Sequence, residues 1–308
     1  MKGIRDWKWE HTWFAFTLFA NGLLPALMLM CIGGLGPFSL LAAQWRAAAF
    51  MSFFGALWGA GSVLYGISLV RLGIAATNAL VSSIAALAAS LGPLLVGYAS
   101  LPQGQIRVLV AGLAALIIGI GVCARSSQLR DGGGVGGQRR WATGILIAVA
   151  SALLSAMLNM GFAASGRLIG AAAAGGYSKL VGTLIVWFPL MAGAFAVGLA
   201  YTSYLIHHGG TWKQFGVAGS GEWWFRALAM GILCFGAVVL YGFGAAHAGS
   251  TGLVYGPAMV SGGSIITSNV WGVARGEWPA AGPRRMMYAA TGFIVLSFCL
   301  LAIARNYS

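Results

Sequence analysis

Gly55-Ala-Leu-Trp-Gly-Ala-Gly-Ser-Val-Leu-Tyr-Gly66 is echoed downstream by Gly231-Ile-Leu-Cys-Phe-Gly-Ala-Val-Val-Leu-Tyr-Gly242, with Val-Leu-Tyr-Gly identical and Tyr65 matched to Tyr241 at an offset of 176 residues. A second echo has nearly the same offset. Gly112 lies thirteen residues before Arg125 on one apolar run, and Gly292 lies thirteen before Arg305 on another, 180 residues on. Both echoes fall in segments too apolar to be anything but membrane helices. Two related halves in a polytopic chain are the pattern of a transporter built from structural repeats.

Composition places the chain in the same class. Of 308 residues, 59% are hydrophobic and only 7% charged, with a mean hydropathy of +0.85, far outside the range of soluble proteins. Nine stretches reach the roughly 20 apolar residues that a bilayer crossing needs, near 12–35, 47–70, 73–98, 107–124, 142–165, 180–205, 227–247, 252–273 and 286–304. The predicted fold is therefore all-α, a polytopic membrane protein of nine transmembrane helices. If both halves share one plan, the span at 142–165 requires a mate one repeat offset earlier, before Met1. The pattern thus reads as four spans plus five, an inverted five-plus-five repeat without its first helix. In this reading 1–308 is a single transporter domain, with an N-terminal repeat at 1–126, a cytoplasmic linker at 127–140 and a C-terminal repeat at 141–308. The 48 glycines, among them Gly55-x-x-x-Gly59, predict helices whose backbones approach closely.

Charge sets the expected orientation. Arg46, Arg107, Arg167, Lys179 and Arg305 fall on one side of the predicted spans, and the other thirteen cations fall on the side of the N-terminus. The positive-inside rule then makes the N-terminus cytoplasmic and the C-terminus external. The net charge of +13 follows from loop ends and not from a basic soluble face, so nucleic acid is not an expected partner. Gly132-Gly-Gly-Val-Gly-Gly137, inside the linker, lacks both a preceding strand and a following Gly-Lys-Ser/Thr, and so reads as flexible chain instead of a phosphate loop. Cys31, Cys123, Cys234 and Cys299 are single and within spans, which implies packing and no disulfide.

All five acids, Asp6, Glu10, Asp131, Glu222 and Glu277, fall in loops or at helix ends. A membrane enzyme would need a mid-membrane acid, a His cluster or a metal set. The sequence offers none, so no cofactor, no metal site and no enzymatic activity are expected. Proton coupling needs a titratable group, and the nearest are Glu10 at the mouth of the first span and His247 at the end of the seventh. Both also fit ordinary helix-end roles, since an acid at a helix N-terminus complements the dipole.

The polar groups inside the spans suit a neutral, hydroxyl-rich solute. Trp58, Ser62 and Tyr65 share one helix face at i, i+4 and i+7, with Tyr241 as the repeat mate of Tyr65. Ser151, Ser155 and Asn159 form a second stripe, and Ser261, Ser264 and Ser268 a third, beside Asn269 and Trp271. Asn78 and Asn21 add amides. Aromatic faces cover the C–H face of a sugar while amides and hydroxyls bond its hydroxyls. Each serine stripe also has a structural reading, because hydroxyls bond within and between membrane helices for about 0.6 kcal/mol each.

Trp7-Lys-Trp-Glu-His-Thr-Trp13, Phe54-Gly-Ala-Leu-Trp-Gly59, Tyr65-Gly66, Arg71-Leu-Gly73, Arg125-Ser-Ser-Gln-Leu-Arg130, and Glu277-Trp278 with Ala281-Gly282 near Arg284 extend over nearly the whole chain. Together they resemble the L-rhamnose/proton symporter family of the drug/metabolite transporter superfamily. The resemblance implies ten helices in two inverted repeats, a bacterial inner-membrane location, and monosaccharide symport by alternating access, with L-rhamnose or a similar deoxyhexose and protons as partners. The family carries a His and then an Asp at positions that fall near Ala245 and Leu253 here, which leaves His247 as a displaced substitute. The expected substrate-binding set is Trp58, Ser62, Tyr65, Asn78, Asn159, Tyr241, Ser264, Ser268 and Asn269, with His247 and Glu10 for coupling. Two other readings accompany this one: an exporter of small amphipathic metabolites, which would need a wide apolar cavity, and a non-transporting relic or accessory subunit.

Overall fold

The structure is a computed structural model that describes residues 7–130 and 138–304. Its described residues form helices and no strand: α1 (Trp9–Thr17), a π turn (Leu18–Leu23), α2 (Leu24–Gly33), α3 (Gly36–Ala43), α4 (Trp45–Leu72), α5 (Ile74–Leu95), α6 (Gln103–Arg130), α7 (Gln138–Ala163), α8 (Gly166–Ala174), α9 (Lys179–His208), a 3-10 turn (Trp212–Gly216), α10 (Ser220–Ala248), α11 (Ser250–Ala274) and α12 (Ala281–Ala304). Among them eight helical segments are long and apolar enough to cross a bilayer. The chain is an all-α polytopic membrane protein. The ninth expected span, at 252–273, is also a continuous helix, α11, whose Ser261, Ser264, Thr267, Ser268 and Asn269 hold its apolarity below that of the other eight. The glycine core of the expected linker, Gly132 to Gly137, lies outside the described residues, as do Asp6, Asp131 and Arg305.

Local chemistry explains the breaks. Pro25 has no N–H to give the carbonyl of Asn21, so the first span widens into its π turn just before that proline. Gly73, at φ +79°, joins α4 to α5 through a single left-handed residue, and Gly249, at φ +61°, does the same between α10 and α11. These two glycines are 176 residues apart, so the repeat seen in Tyr65 and Tyr241 also governs the helix junctions.

The helices gather into two compact units, Met1–Val63 with Met160–Ala246, and Leu64–Asn159 with His247–Ser308. Each unit draws helices from both halves of the chain. In the first, α4 and α9 touch backbone to backbone: a Cβ on Gly55 would run into the carbonyl of Leu190, and one on Gly193 into that of Ser52. The expected Gly55-x-x-x-Gly59 face is this contact, with Gly59 set against Ala194. Trp187, Leu184, Ile185, Leu190 and Met191 of α9 fill the core around it. The motif from Trp7 to Trp13 anchors the start of this unit. Trp7 Nε1 donates to the Gln214 carbonyl (2.9 Å), and the Trp7 ring meets Phe215 and Trp224 edge-on. The buried His11 places Nε2 3.1 Å from the Thr211 carbonyl, so that nitrogen carries the proton.

In the second unit, α6 packs along α12, with Gly112 under Leu301 and Gly119 under Ile294. Leu109, Leu113, Leu116 and Ile120 bury against Val254, Tyr255, Ala258 and Ile294. Asn159 ties α7 to this unit in a specific way. Pro93 cannot bond the carbonyl of Ala89 four residues back, and Pro257 cannot bond that of Leu253. The Asn159 amide donates to both orphaned carbonyls, at 2.6 and 3.2 Å.

Candidate functional site

The second unit contains a cavity of about 430 Å³, within the roughly 300–1,000 Å³ typical of small-molecule sites. Helical periodicity builds its walls. Asn78 and Ser82 (i, i+4) come from the first turns of α5, Cys123, Ser127 and Arg130 (i, i+4, i+7) from the last turns of α6, and Ser264 and Ser268 (i, i+4) with Asn269 from the second half of α11. Tyr65 of α4 and Glu277-Trp278 of the α11–α12 turn complete it.

Hydrogen bonds hold these groups in place. The Tyr65 hydroxyl donates to Asn78 Oδ1, which leaves the NH2 end of that amide for a ligand. The buried Asn269 accepts from the Cys123 thiol at 3.5 Å and donates to Thr291 Oγ1 at 3.3 Å. Ser264 spends its proton on the Ser261 carbonyl (2.8 Å) and keeps its lone pairs as acceptors. The charges are balanced: Arg130 lies 3.6 Å from Glu277, and its guanidinium stacks 4.6 Å over the Trp278 ring. Trp278 itself is buried, and its indole N–H has no partner among the described residues. Such a lining bonds hydroxyls and carbonyl-like oxygens from several directions and presents no net charge. Among the described residues no group of His, Cys, Asp and Glu is arranged to hold a metal ion.

Of the expected set, Tyr65, Asn78, Ser264, Ser268 and Asn269 line this one cavity. The others do not line it. Trp58 and Ser62 belong to the first unit, where the Ser62 hydroxyl donates to the Trp58 carbonyl (3.2 Å). Tyr241 packs in the first unit beside Phe162 and Trp187, with ring centroids 6.1 and 6.3 Å away. Asn159 serves the two proline-freed carbonyls. Glu10 sits in the first turn of α1, and His247 is exposed in the last turn of α10, the position that matches Arg71 in α4. Arg71, as a cation, complements the carbonyls of its helix C-terminus.

Sequence reasoning missed Ser82, Cys123, Ser127, Arg130, Glu277 and Trp278. Glu277 and Trp278 stand in a turn between spans, and polar stripes within helices give no sign of where such a turn folds. The Arg125–Arg130 and Glu277-Trp278 motifs were the available signal. No protein-family model, no curated protein and no solved structure matches this chain.

Proposed function

We propose that this chain is a secondary transporter that moves a small neutral polyhydroxylated solute, L-rhamnose or a similar deoxyhexose, by alternating access. The observation that carries this reading is the cavity of the second unit, where amides, hydroxyls and two aromatic rings surround about 430 Å³ and Arg130 is paired with Glu277. A monosaccharide needs many weak polar contacts and some aromatic surface, with no fixed charge. The family resemblance of the motifs and the two-fold repeat point the same way. An amphipathic-metabolite exporter would call for a continuous apolar wall, whereas two amides, four serine hydroxyls and an ion pair interrupt this one. The charge distribution supports a cytoplasmic N-terminus, and a bacterial inner membrane is what the resemblance implies.

If uptake is proton-coupled, Glu277 is the carboxylate within the cavity, while Glu10 and His247 stand outside it. Uptake of radiolabelled L-rhamnose into vesicles, with and without a pH gradient, tests the proposal. The wild-type chain accumulates sugar, and Asn269→Ala lowers uptake about tenfold, the loss of roughly 1.4 kcal/mol of polar contacts, at equal membrane abundance. Uptake equal to that of empty vesicles, or unaltered by Asn269→Ala, would rule the proposal out.

A further inference from the structure

The first unit has its own recess, a groove of about 330 Å³ lined by Arg46, Ala47, Phe50, Met51, Ala164, Ser165, Arg167 and Leu168. Its chemistry is unlike that of the cavity above. Two guanidinium groups flank it, no carboxylate lines it, and neither arginine has an ion pair among the described residues. Arg167 Nε donates to Gln44 Oε1 at 3.2 Å, and the Arg46 guanidinium lies 5.4 Å from the centroid of the neighbouring Trp45 ring. Both contacts position a cation without neutralising it.

Two helices also begin at this groove. Arg46 and Ala47 are in the first turn of α4, and Ala164 to Leu168 lead into α8. The first N–H groups of a helix have no partner within it and carry partial positive charge. At α8 the residue placed to cap them, Ser165, turns its buried hydroxyl to the Phe162 carbonyl instead (2.6 Å). Positive potential thus comes from two side chains and two helix ends together. Arg46 and Arg167 are, moreover, two of only five cations on the face where the positive-inside rule disfavours them, and they meet at one groove.

The apolar residues identify the rest of the ligand. Arg46, Phe50 and Phe53 recur at i, i+4 and i+7, so one face of α4 passes from a cation to exposed aromatic rings as it enters the membrane. Phe50 is 47% and Phe53 58% exposed, beside a Trp45 that is 62% exposed, as tryptophans at a membrane interface are. A charged head and a greasy stripe in register match an anionic amphiphile and not a free ion.

We propose that the groove at the first turns of α4 and α8 binds an anionic phospholipid, its phosphate held by Arg46 and Arg167 and its acyl chain laid along Phe50 and Phe53. This site is independent of the transport cavity and of what that cavity carries. Binding of dioctanoyl phosphatidylglycerol, dioctanoyl phosphatidylcholine and inorganic phosphate to the purified full chain, followed by native mass spectrometry and by thermal shift, tests it. Phosphatidylglycerol binds saturably and at least about tenfold more tightly than the zwitterionic phosphatidylcholine, and inorganic phosphate does not displace it. The R46Q/R167Q double variant loses about thirtyfold in phosphatidylglycerol affinity with its lipid-free melting temperature unchanged, whereas R107Q, on the same face but outside the groove, binds as wild type. Equal binding of the two lipids by the wild-type chain overturns the proposal even if the double variant fails to fold. So does a loss in R107Q as large as in the double variant, or displacement of the lipid by phosphate alone, which would mark a site for free anions.

Discussion

Tyr65 and Tyr241 hold the third place in the same four-residue phrase, Val-Leu-Tyr-Gly, on two helices whose sequences echo each other, yet they do different work. Tyr241 lies among aromatic rings: Phe162 stacks on Trp187 at 4.7 Å and 13°, and Tyr241 packs against both. Gly242 makes this possible, since a Cβ there would strike the Trp187 indole. Tyr65 faces Asn78 instead, and the space beyond it is the polar cavity. The helix phrase is common to both; the neighbours differ. Where a repeat meets aromatic and small residues it makes core, and where it meets amides and serines it leaves a cavity whose walls keep hydrogen-bonding capacity.

The contrast breaks most severely at the glycines of the first unit. Gly55→Val drives a branched side chain into the Leu190 carbonyl, costs about 3 kcal/mol or more, and leaves little monodisperse protein on size-exclusion chromatography. Gly236→Ala, where nothing lies within 4 Å of the added carbon, elutes as wild type. A smaller loss is expected for Tyr241→Ala, about 2 kcal/mol read as a lowered melting temperature, below what a fully buried ring would forfeit. Tyr65→Phe sharpens the comparison from the other side. It removes one hydroxyl, worth about 1 kcal/mol net, and lowers sugar uptake about fivefold with the melting temperature preserved. A stability loss in Tyr65→Phe as large as in Tyr241→Ala would erase the distinction between the two tyrosines.

Helix existence was legible in the sequence because the length of an apolar run is a direct physical requirement of the bilayer. The repeat was legible too, and its junction glycines, Gly73 and Gly249, extend it. Part of the cavity lining could be read because polar residues inside an apolar span have few other uses; Tyr65, Ser264 and Ser268 came from stripes at helical spacing, and Asn78 and Asn269 from being amides within a span. The same reasoning put Asn159 in the binding set, whereas its buried amide bonds the carbonyls freed by Pro93 and Pro257, which nothing local in the sequence showed. Arg130, Glu277 and Trp278 stood in motifs that the sequence displays, but nothing local assigned them to the cavity. Charged residues in turns are the default at a membrane surface, and only the tertiary fold shows this turn closing over the ends of α6 and α11.

Cys123 offers the most direct test that the second-unit cavity holds the transported sugar, because its thiol lines that cavity and bonds Asn269. In a chain with Cys31, Cys234 and Cys299 replaced by Ala, the rate at which a small water-soluble maleimide modifies Cys123 is measured against L-rhamnose concentration. The account predicts a saturable slowing of modification by the sugar, lost in the Asn269→Ala background. A modification rate indifferent to L-rhamnose, at concentrations that saturate uptake, would contradict it.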